Sequence, residues 1–162
     1  MYKKILVAVD GSSTSNAALG EAIGLAKDHQ AKLRLLHVVD SPYAYPDVMY
    51  GHVAGDLEEL RQAWRKAGLD VLDAAVAQAR LAGLEPETRL CESDGLRVSG
   101  AIIEEARQWG ADLIVVGTHG RRGLDRLLLG SVAEGAARTA AMSVLLVRGA
   151  GAAGTTGAAG KK

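Results

Sequence analysis

The residues whose chemistry stands out lie between positions 117 and 131, in the stretch GTHGRRGLDRLLLGS. Each glycine costs about 0.5–1 kcal/mol relative to alanine in regular structure, but it lets backbone N–H groups approach a ligand without a Cβ in the way. Gly130 and Ser131 also open a predicted helix, whose free N–H groups favour an anion. Two groups of donors, nine residues apart, predict a polyphosphate site. The stretch contains four glycines: Gly117, Gly120, Gly123 and Gly130.

The same stretch also allows a purely structural interpretation. The residues from Ser131 to Glu134 match a capping box, in which the Ser131 side chain only starts the helix. The arginines Arg121, Arg122 and Arg126 are compatible with a solvated surface. A helix cap does not require the preceding glycines, however, and the same N–H groups can serve a cap and a phosphate together. The phosphate interpretation is therefore favoured over the structural one, which stays open.

Other side chains capable of chemistry are scattered along the chain. His29, His37 and His52 lack the i, i+4 spacing and the acidic neighbours of a metal site, so we expect them to be structural or solvated. Only His119, inside the glycine-rich stretch, is a functional candidate. Cys91 closes a predicted strand and is expected to be a small buried hydrophobe. The first helix has three expected capping residues: Ser12, Ser13 and Ser15.

Five short apolar runs alternate with segments of helical periodicity, and these elements must position the candidate residues. The runs occupy residues 4–9, 32–38, 86–91, 112–117 and 143–147, and the helical segments occupy residues 14–28, 56–82, 96–109 and a short stretch from Ser131. After Lys4 and Asp112 at their starts, the first and fourth runs are continuously apolar, as expected for strands buried on both faces of a parallel sheet. The sequence therefore predicts an α/β domain with a doubly wound sheet, which binds ligands beyond the carboxyl ends of its strands.

The composition limits the class of protein. Among 162 residues, 19 Lys+Arg balance 19 Asp+Glu, and proteins that bind nucleic acid usually carry a basic excess, so we expect no nucleic-acid partner. No apolar run approaches the roughly 18 residues of a membrane span. The single cysteine excludes an intrachain disulfide and fits a reducing compartment. We therefore predict a cytoplasmic protein without a membrane partner.

Two segments fall outside the alternating pattern. Residues 40–55 contain two prolines and three tyrosines and are predicted to form a long loop. Residues 149–162 form a Gly/Ala-rich tail that we expect to be disordered, because it can bury almost no apolar surface. The tail contains a literal G-x-G-x-x-G, but the helix and strand that a dinucleotide site requires do not follow it. The tail is therefore not a predicted site. The tyrosines of the loop could hold a ligand or a partner, but packing of the loop by its own aromatic side chains is favoured.

Three motifs give the chain a specific resemblance. The opening ILVAVDGSSTSNAAL, the segment LLHVVD and the spacing Gly-x2-Gly-x9-Gly-Ser within 117–131 resemble the ATP-binding branch of the universal stress protein family. The resemblance covers residues 2–148 and implies one nucleotide-binding domain over residues 1–148. It also implies a five-stranded parallel sheet in the order 3-2-1-4-5, with strands one and four side by side where the motifs meet. The implied ligand is ATP or another adenine nucleotide.

The resemblance implies a role for each matching residue. Asp10 would contact the ribose or the metal-bound phosphates, and Mg²⁺ would come with the nucleotide. Val38 would hold the adenine through its backbone, while Ala8 and Val9 would line the pocket. The other residues implied in nucleotide binding, the last three of them at the phosphates, are Val116, Gly117, His119, Gly120, Gly130, Ser131 and Val132.

Three classes of function compete. The favoured one is a binding module of the stress response, whose nucleotide occupancy alters conformation or partner choice. The rival is an ATPase or an adenylyl- or phosphoryl-transferring enzyme, but hydrolysis needs a residue that orients a water, and His119 is the only candidate. A structural protein with an empty site is disfavoured by the intact glycines. The resemblance also implies a homodimer joined through Ser143 to Val147, an edge strand without a charge or proline.

Overall fold

A computed structural model of the protein describes residues 1–40, 57–93, 97–120 and 129–149. The predictions for most of the 40–55 loop and for the tail beyond Gly149 concern positions outside these residues. The same holds for His52, Gly123, Arg121, Arg122 and Arg126. Among the described residues, no helix has the length and apolar character needed to cross a membrane. The cytoplasmic location stays a prediction.

Within these residues, strands and helices alternate as the apolar periodicity predicts. The strands are β1 (Lys4–Ala8), β2 (Lys32–Val39), β3 (Glu87–Glu92), β4 (Leu113–Gly117) and β5 (Ser143–Val147). The helices are α1 (Ser13–His29), α2 (Leu57–Leu81), α3 (Val98–Trp109) and α4 (Ser131–Thr139). The largest error in the predicted bounds is at the start of α3, which begins at Val98 instead of residue 96.

The five strands form one parallel sheet in the order β3-β2-β1-β4-β5. In its centre, Ile5 of β1 lies opposite Leu33 of β2 on one side and opposite Leu113 of β4 on the other. The chain therefore winds outward from β1 through β2 to β3, and then outward again through β4 to β5. This arrangement confirms the predicted doubly wound sheet and makes the carboxyl ends of β1 and β4 the switch point of the fold.

Helices cover both faces of the sheet and bury two separate cores. On one face, α1 and α2 pack against residues such as Ile5, Leu35 and Val115, each of them fully buried. On the other face, α3 and α4 pack against Leu6 and Ile114, which are equally buried. A central strand whose neighbouring residues are buried on opposite faces must be apolar throughout. The composition of β1 and β4 therefore follows from their place in the sheet.

The helix-boundary signals of the sequence are partly confirmed. Ser12 is the N-cap of α1, and its hydroxyl accepts the Ser15 N–H at 3.2 Å. Gly110 ends α3 in the left-handed region, with φ of 73°, which a glycine adopts without strain. Of the other expected capping residues of α1, Ser15 accepts a hydrogen bond from the Asp10 N–H instead. A residue of the first helical turn is therefore tied to the end of β1.

A buried carboxylate links the sheet to α3. Glu105 is 6 % exposed and accepts a hydrogen bond from Arg34 Nη1 at 2.7 Å, while Arg89 Nε lies 3.4 Å from its second oxygen. The Arg34 guanidinium also lies 4.4 Å from the centroid of a Trp109 ring. Cys91 Sγ is 3.8 Å from the same carboxylate, and burial raises the pKa of this thiol. Cys91 is half-buried, so the expectation of a buried hydrophobe is not met, and a thiol with a raised pKa is a poor nucleophile.

Candidate functional site

The end of β1 presents the first predicted site residue, Asp10. The Val9 N–H still donates to Leu36 O at 2.8 Å, so the sheet pairing continues one residue past β1. Gly11 then turns the chain with φ of 80°, a conformation that L side chains rarely adopt. This turn brings the Ser12 N–H to 2.9 Å from Asp10 Oδ1. One carboxylate oxygen of Asp10 is therefore fixed by its own turn.

The end of β4 lies directly beside the start of α1. A Cβ on Gly117 would be 2.9 Å from Thr14 Cγ2 and 3.1 Å from the Thr14 carbonyl carbon. Gly149, just after β5, has the same neighbour, since its Cβ would lie 3.1 Å from Thr14 Oγ1. The expected reason for glycine at position 117 was the approach of a ligand. The contacts show an additional reason, because the missing Cβ allows β4 to pack against the first turn of α1, and the ligand role of Gly117 stays a prediction.

Gly120 brings the two predicted motifs together. A Cβ at this exposed position would lie 3.0 Å from Asp10 Oδ2. The glycine-rich stretch after β4 therefore meets the carboxylate after β1, although the two are far apart in sequence. This juxtaposition lies at the switch point of the sheet, where ligands of doubly wound folds bind.

The start of α4 differs from the predicted capping box. The helix begins at Ser131 as predicted, but its N-cap is Gly130, with φ of −63° and ψ of 148°, and no side chain caps it. The Gly130 N–H donates to Thr118 O at 2.8 Å, and a Cβ on Gly130 would lie 3.1 Å from that oxygen. The capping-box interpretation of Ser131 is therefore wrong, because the backbone contact with Thr118 shifts the cap by one residue. Ser131 itself is exposed, and Val132 is half-buried.

His119 lies between these two glycine positions and is half-buried. Its Nδ1 is 3.0 Å from Thr118 Oγ1, and Thr118 is itself fixed by a hydrogen bond from its N–H to Val147 O at 2.8 Å. His119 Nε2 is buried and has no hydrogen-bond partner among the described residues. A buried ring nitrogen without a partner is costly, which marks His119 as a residue that a ligand would satisfy.

The residues expected around the base lie at neighbouring strand ends but on two faces of the sheet. Ala8 of β1, Val38 of β2 and Val116 of β4 all pack against the core beneath α3 and α4. Val9 is 4 % exposed and belongs to the opposite core, beneath α1 and α2. The structure therefore brings Ala8, Val38 and Val116 together and places the Val9 side chain elsewhere.

Sequence reasoning named two buried polar residues near this site, His37 as structural or solvated and Ser15 as a helix cap, but it missed the contacts that they make. His37 of β2 is 7 % exposed, and its Nδ1 lies 2.7 Å from Val9 O. Ser15 of α1 is 4 % exposed and accepts the Asp10 N–H at 2.9 Å. The available signal was the single polar residue inside the apolar run LLHVV of β2. Its partner is a backbone carbonyl of another strand, which no sequence pattern identifies.

Comparison with known proteins finds relatives that match most of the chain. The model of the Universal stress protein family matches residues 1–148. Universal stress protein YxiE of Bacillus subtilis is 35% identical over 151 residues, which cover 91% of this chain and 100% of that protein. A solved structure of a universal stress protein family member from Burkholderia pseudomallei is 37% identical, with a TM-score of 0.71, over 90% of this chain and 95% of that chain.

Two other similar structures are complexes with adenine mononucleotides. A universal stress protein in complex with cAMP is 28% identical, with a TM-score of 0.67, over 91% of this chain and 98% of that one. The universal stress protein from Archaeoglobus fulgidus in complex with dAMP is 25% identical, with a TM-score of 0.63, over 90% and 98% of the two chains. From its sheet order, its matched residues and its relatives, the chain belongs to the universal stress protein family.

Proposed function

We propose that this protein binds an adenine nucleotide, with ATP as the principal ligand, at the carboxyl ends of β1, β2 and β4. The observation that carries the proposal is the approach of Gly120 to within 3.0 Å of Asp10 Oδ2, measured from an added Cβ. A carboxylate and a glycine-rich stretch thereby meet at the switch point of the sheet. The similar structures with cAMP and dAMP support an adenine nucleotide as the ligand.

The base of the nucleotide would lie at the ends of the central strands. Val38 is half-buried on β2 and would hold the adenine through its backbone, next to the half-buried Ala8 of β1. Val116 is 2 % exposed and would support this surface from β4. Val9 would contribute only van der Waals contact of its backbone, because its side chain belongs to the other core and its N–H and carbonyl oxygen are already bonded within the protein.

The phosphates would lie at the start of α4. The N–H groups of Ser131 and Val132 are in the first helical turn, where an anion is favoured, and the exposed Ser131 hydroxyl is a further donor. Gly130 would not donate to the phosphates, because its N–H is already bonded within the protein. Its contribution would be the backbone conformation at the start of α4. His119 and Gly120 would border the ribose and phosphates, and the buried Nε2 of His119 would gain a partner.

Magnesium would enter this site with the nucleotide. Among the described residues, no group of three or more His, Cys, Asp or Glu is placed to hold a metal ion. Asp10 fits the weaker role of a single carboxylate beside Mg-nucleotide, since its Oδ1 is fixed by the Ser12 N–H and its Oδ2 faces Gly120. Mg²⁺ usually combines one or two carboxylates with phosphate oxygens and waters. When bound, it would neutralise phosphate charge.

The nucleotide would act as a regulator of conformation or partner choice and would not be consumed rapidly. Hydrolysis requires a residue that orients the attacking water. His119 is the candidate, but its Nδ1 faces the Thr118 hydroxyl, and no described carboxylate bonds to its ring. We expect phosphate release slower than about 1 per second. A faster rate that disappears in Asp10→Asn would identify the protein as an enzyme.

Titration calorimetry with MgATP, and in parallel with ADP and AMP, tests nucleotide binding. Asp10→Asn removes the charge but keeps an oxygen that can accept the Ser12 N–H, so the turn is preserved. We expect this variant to lose affinity at least about tenfold, which corresponds to one charge-assisted contact. Asp28→Asn is the matched control, because Asp28 is exposed near the far end of α1. Absence of binding in the wild type, or equal affinity for the Asp10 and Asp28 variants, would contradict the proposal.

Substitution of Gly130 is a less specific test of the same site. A Cβ on Gly130 would lie 3.1 Å from Thr118 O, so Gly130→Asp would disturb the protein as well as a phosphate. Gly120 is the better position, since its nearest neighbour is the end of the Asp10 side chain and the residue is exposed. We expect Gly120→Val to weaken MgATP binding while the unfolding temperature stays near that of the wild type.

We further propose a homodimer joined through β5. This strand pairs with β4 on one side of the sheet and is the last strand in the sheet order. Four of its five residues are half-buried, including Leu145. An edge strand of this composition is a template for a second strand, and pairing with a second copy closes the assembly at two-fold symmetry. Light scattering after size exclusion should give a dimer mass for the wild type and a folded monomer for Leu145→Lys. A wild-type monomer at all concentrations would contradict the dimer.

A further inference from the structure

The peptide bond that joins Val9 to Asp10 is bonded at both of its polar atoms by buried side chains. Val9 O lies 2.7 Å from His37 Nδ1. The Asp10 N–H donates to Ser15 Oγ at 2.9 Å. The two side chains come from different elements, β2 and α1, and they meet at the position where the sheet pairing of β1 has ended. One peptide group is therefore held from two directions.

His37 and Ser15 are buried although they are polar, and their hydrogen bonds to the Val9–Asp10 peptide explain this burial. His37 is 7 % exposed, whereas the next residues on the same face of β2, Leu33 and Leu35, are apolar. Burying an imidazole or a hydroxyl is unfavourable unless hydrogen bonds compensate. Because a carbonyl oxygen only accepts, the His37 Nδ1 must carry a proton. A leucine at position 37 would fill the core but would leave Val9 O without this donor.

The same peptide belongs to a closed set of hydrogen bonds around Asp10. Ser15 accepts the Asp10 N–H, and the Ser15 N–H donates to Ser12 Oγ at 3.2 Å. The Ser12 N–H then donates to Asp10 Oδ1 at 2.9 Å. Asp10 is thus fixed at its backbone and at one carboxylate oxygen. Its other oxygen, Oδ2, is the one that faces Gly120.

From this arrangement we infer that His37 and Ser15 are positioning residues of the nucleotide site. They fix the peptide plane before Asp10 and thereby the direction of its carboxylate. His37 is held in turn by α2, since a Cβ on Gly68 would lie 2.7 Å from His37 Cδ2. The inference rests on the proposed nucleotide binding for its functional readout. Its structural part, the fixed peptide, does not depend on any ligand.

Four variants separate positioning from general stability. His37→Leu and Ser15→Ala each remove one hydrogen bond to the peptide. His37→Asn is the conservative variant, because its amide nitrogen can donate from the position of Nδ1. Ile102→Val is the control for stability: it deletes one methyl group from the opposite core, which typically costs about 0.5–1.5 kcal/mol. All four are measured by MgATP titration and by amide hydrogen exchange at Asp10.

We expect His37→Leu and Ser15→Ala to bind MgATP about tenfold more weakly, and His37→Asn and Ile102→Val to bind like the wild type. The Asp10 amide should exchange faster only in the first two variants. Wild-type affinity in His37→Leu and Ser15→Ala, or an equal loss in His37→Asn and His37→Leu, would overturn the inference. If the wild type bound no nucleotide, the proposed function would fail. In that case, unchanged exchange at Asp10 would separately refute the fixed peptide.

Discussion

Replacement of Gly117 by alanine tests whether this glycine serves packing or ligand approach. The added Cβ would lie 2.9 Å from Thr14 Cγ2 and 3.1 Å from both the carbonyl carbon and the oxygen of Thr14. Two of these three atoms belong to the backbone of the first turn of α1, which the Ser12 cap holds in place. Relief therefore requires a shift of β4 or of the helix, because rotation of the Thr14 side chain removes only one contact.

The expected destabilisation combines two opposing effects. Overpacking against fixed neighbours typically costs about 1–3 kcal/mol. Replacing glycine by alanine restricts the unfolded chain and returns about 0.4–1 kcal/mol. Gly117→Ala should therefore lower the free energy of unfolding by about 1–2 kcal/mol, as measured by urea denaturation with linear extrapolation. Gly24→Ala in α1 is the matched control: its Cβ would meet no atom within 4 Å, so only the stabilising effect remains.

A second substitution identifies the contact responsible. Thr14→Ser removes Cγ2, the nearest atom, but leaves the two backbone atoms in place. In a double-mutant cycle, the serine should recover part of the stability lost in Gly117→Ala, and the interaction energy should differ from zero. If Gly117→Ala were as stable as the wild type or gained as much as Gly24→Ala, the packing explanation would be refuted. Glycine at position 117 would then have to be explained by the ligand.

Three further predictions concern the rest of the protein. Glu105→Gln should cost about 1–3 kcal/mol in urea denaturation, because it removes the charge of the buried partner of Arg34, which keeps its ion pair with Glu87. A loss below the error of the measurement would contradict a structural role of the pair. Backbone N–H groups at the start of β1 lower the pKa of Asp112. The contribution of the Asp112 carboxylate to stability is therefore present above the ordinary aspartate pKa and is lost as the pH falls through the lowered pKa. The stability difference between wild type and Asp112→Asn should therefore shrink on acidification, and a difference independent of pH would argue against these hydrogen bonds. Gly135→Ala should destabilise the contact between α3 and α4, because the added Cβ would lie 2.7 Å from Ser99 Cβ, and thermal unfolding compared with Gly24→Ala would show it.

The architecture was predictable because it follows from patterns that are local in sequence. The continuously apolar runs that follow Lys4 in β1 and Asp112 before β4 indicated central strands, and the helical periodicity between runs predicted the alternation. Gly110 marked the end of α3 because few other residues adopt φ of 73° without strain. Such signals depend only on the conformation and burial of each segment.

The details of the site were less predictable because they depend on contacts between distant segments. Gly117 and Gly130 were marked as unusual from the sequence, but their close protein neighbours, Thr14 and Thr118, could not be identified from it. Ser131 matched a capping box, yet a backbone hydrogen bond from the preceding residue moved the cap. The role of His37 was missed for the same reason, since its acceptor is a carbonyl of another strand. Sequence patterns identify special positions more readily than the partner that makes them special.

The position of β4 between β1 and β5 has a consequence for synthesis on the ribosome. Lys4 and Asp112, which bond to each other where these two strands begin, are 108 positions apart in the chain. The first three strands therefore emerge and pair while one edge of β1 has no neighbour, and that edge presents unpaired backbone N–H and C=O groups. Long-range pairing of this kind is slow and leaves nascent chains exposed to aggregation. The candidate site, which needs β4 and the start of α4, can therefore form only after the chain has been translated beyond Val132.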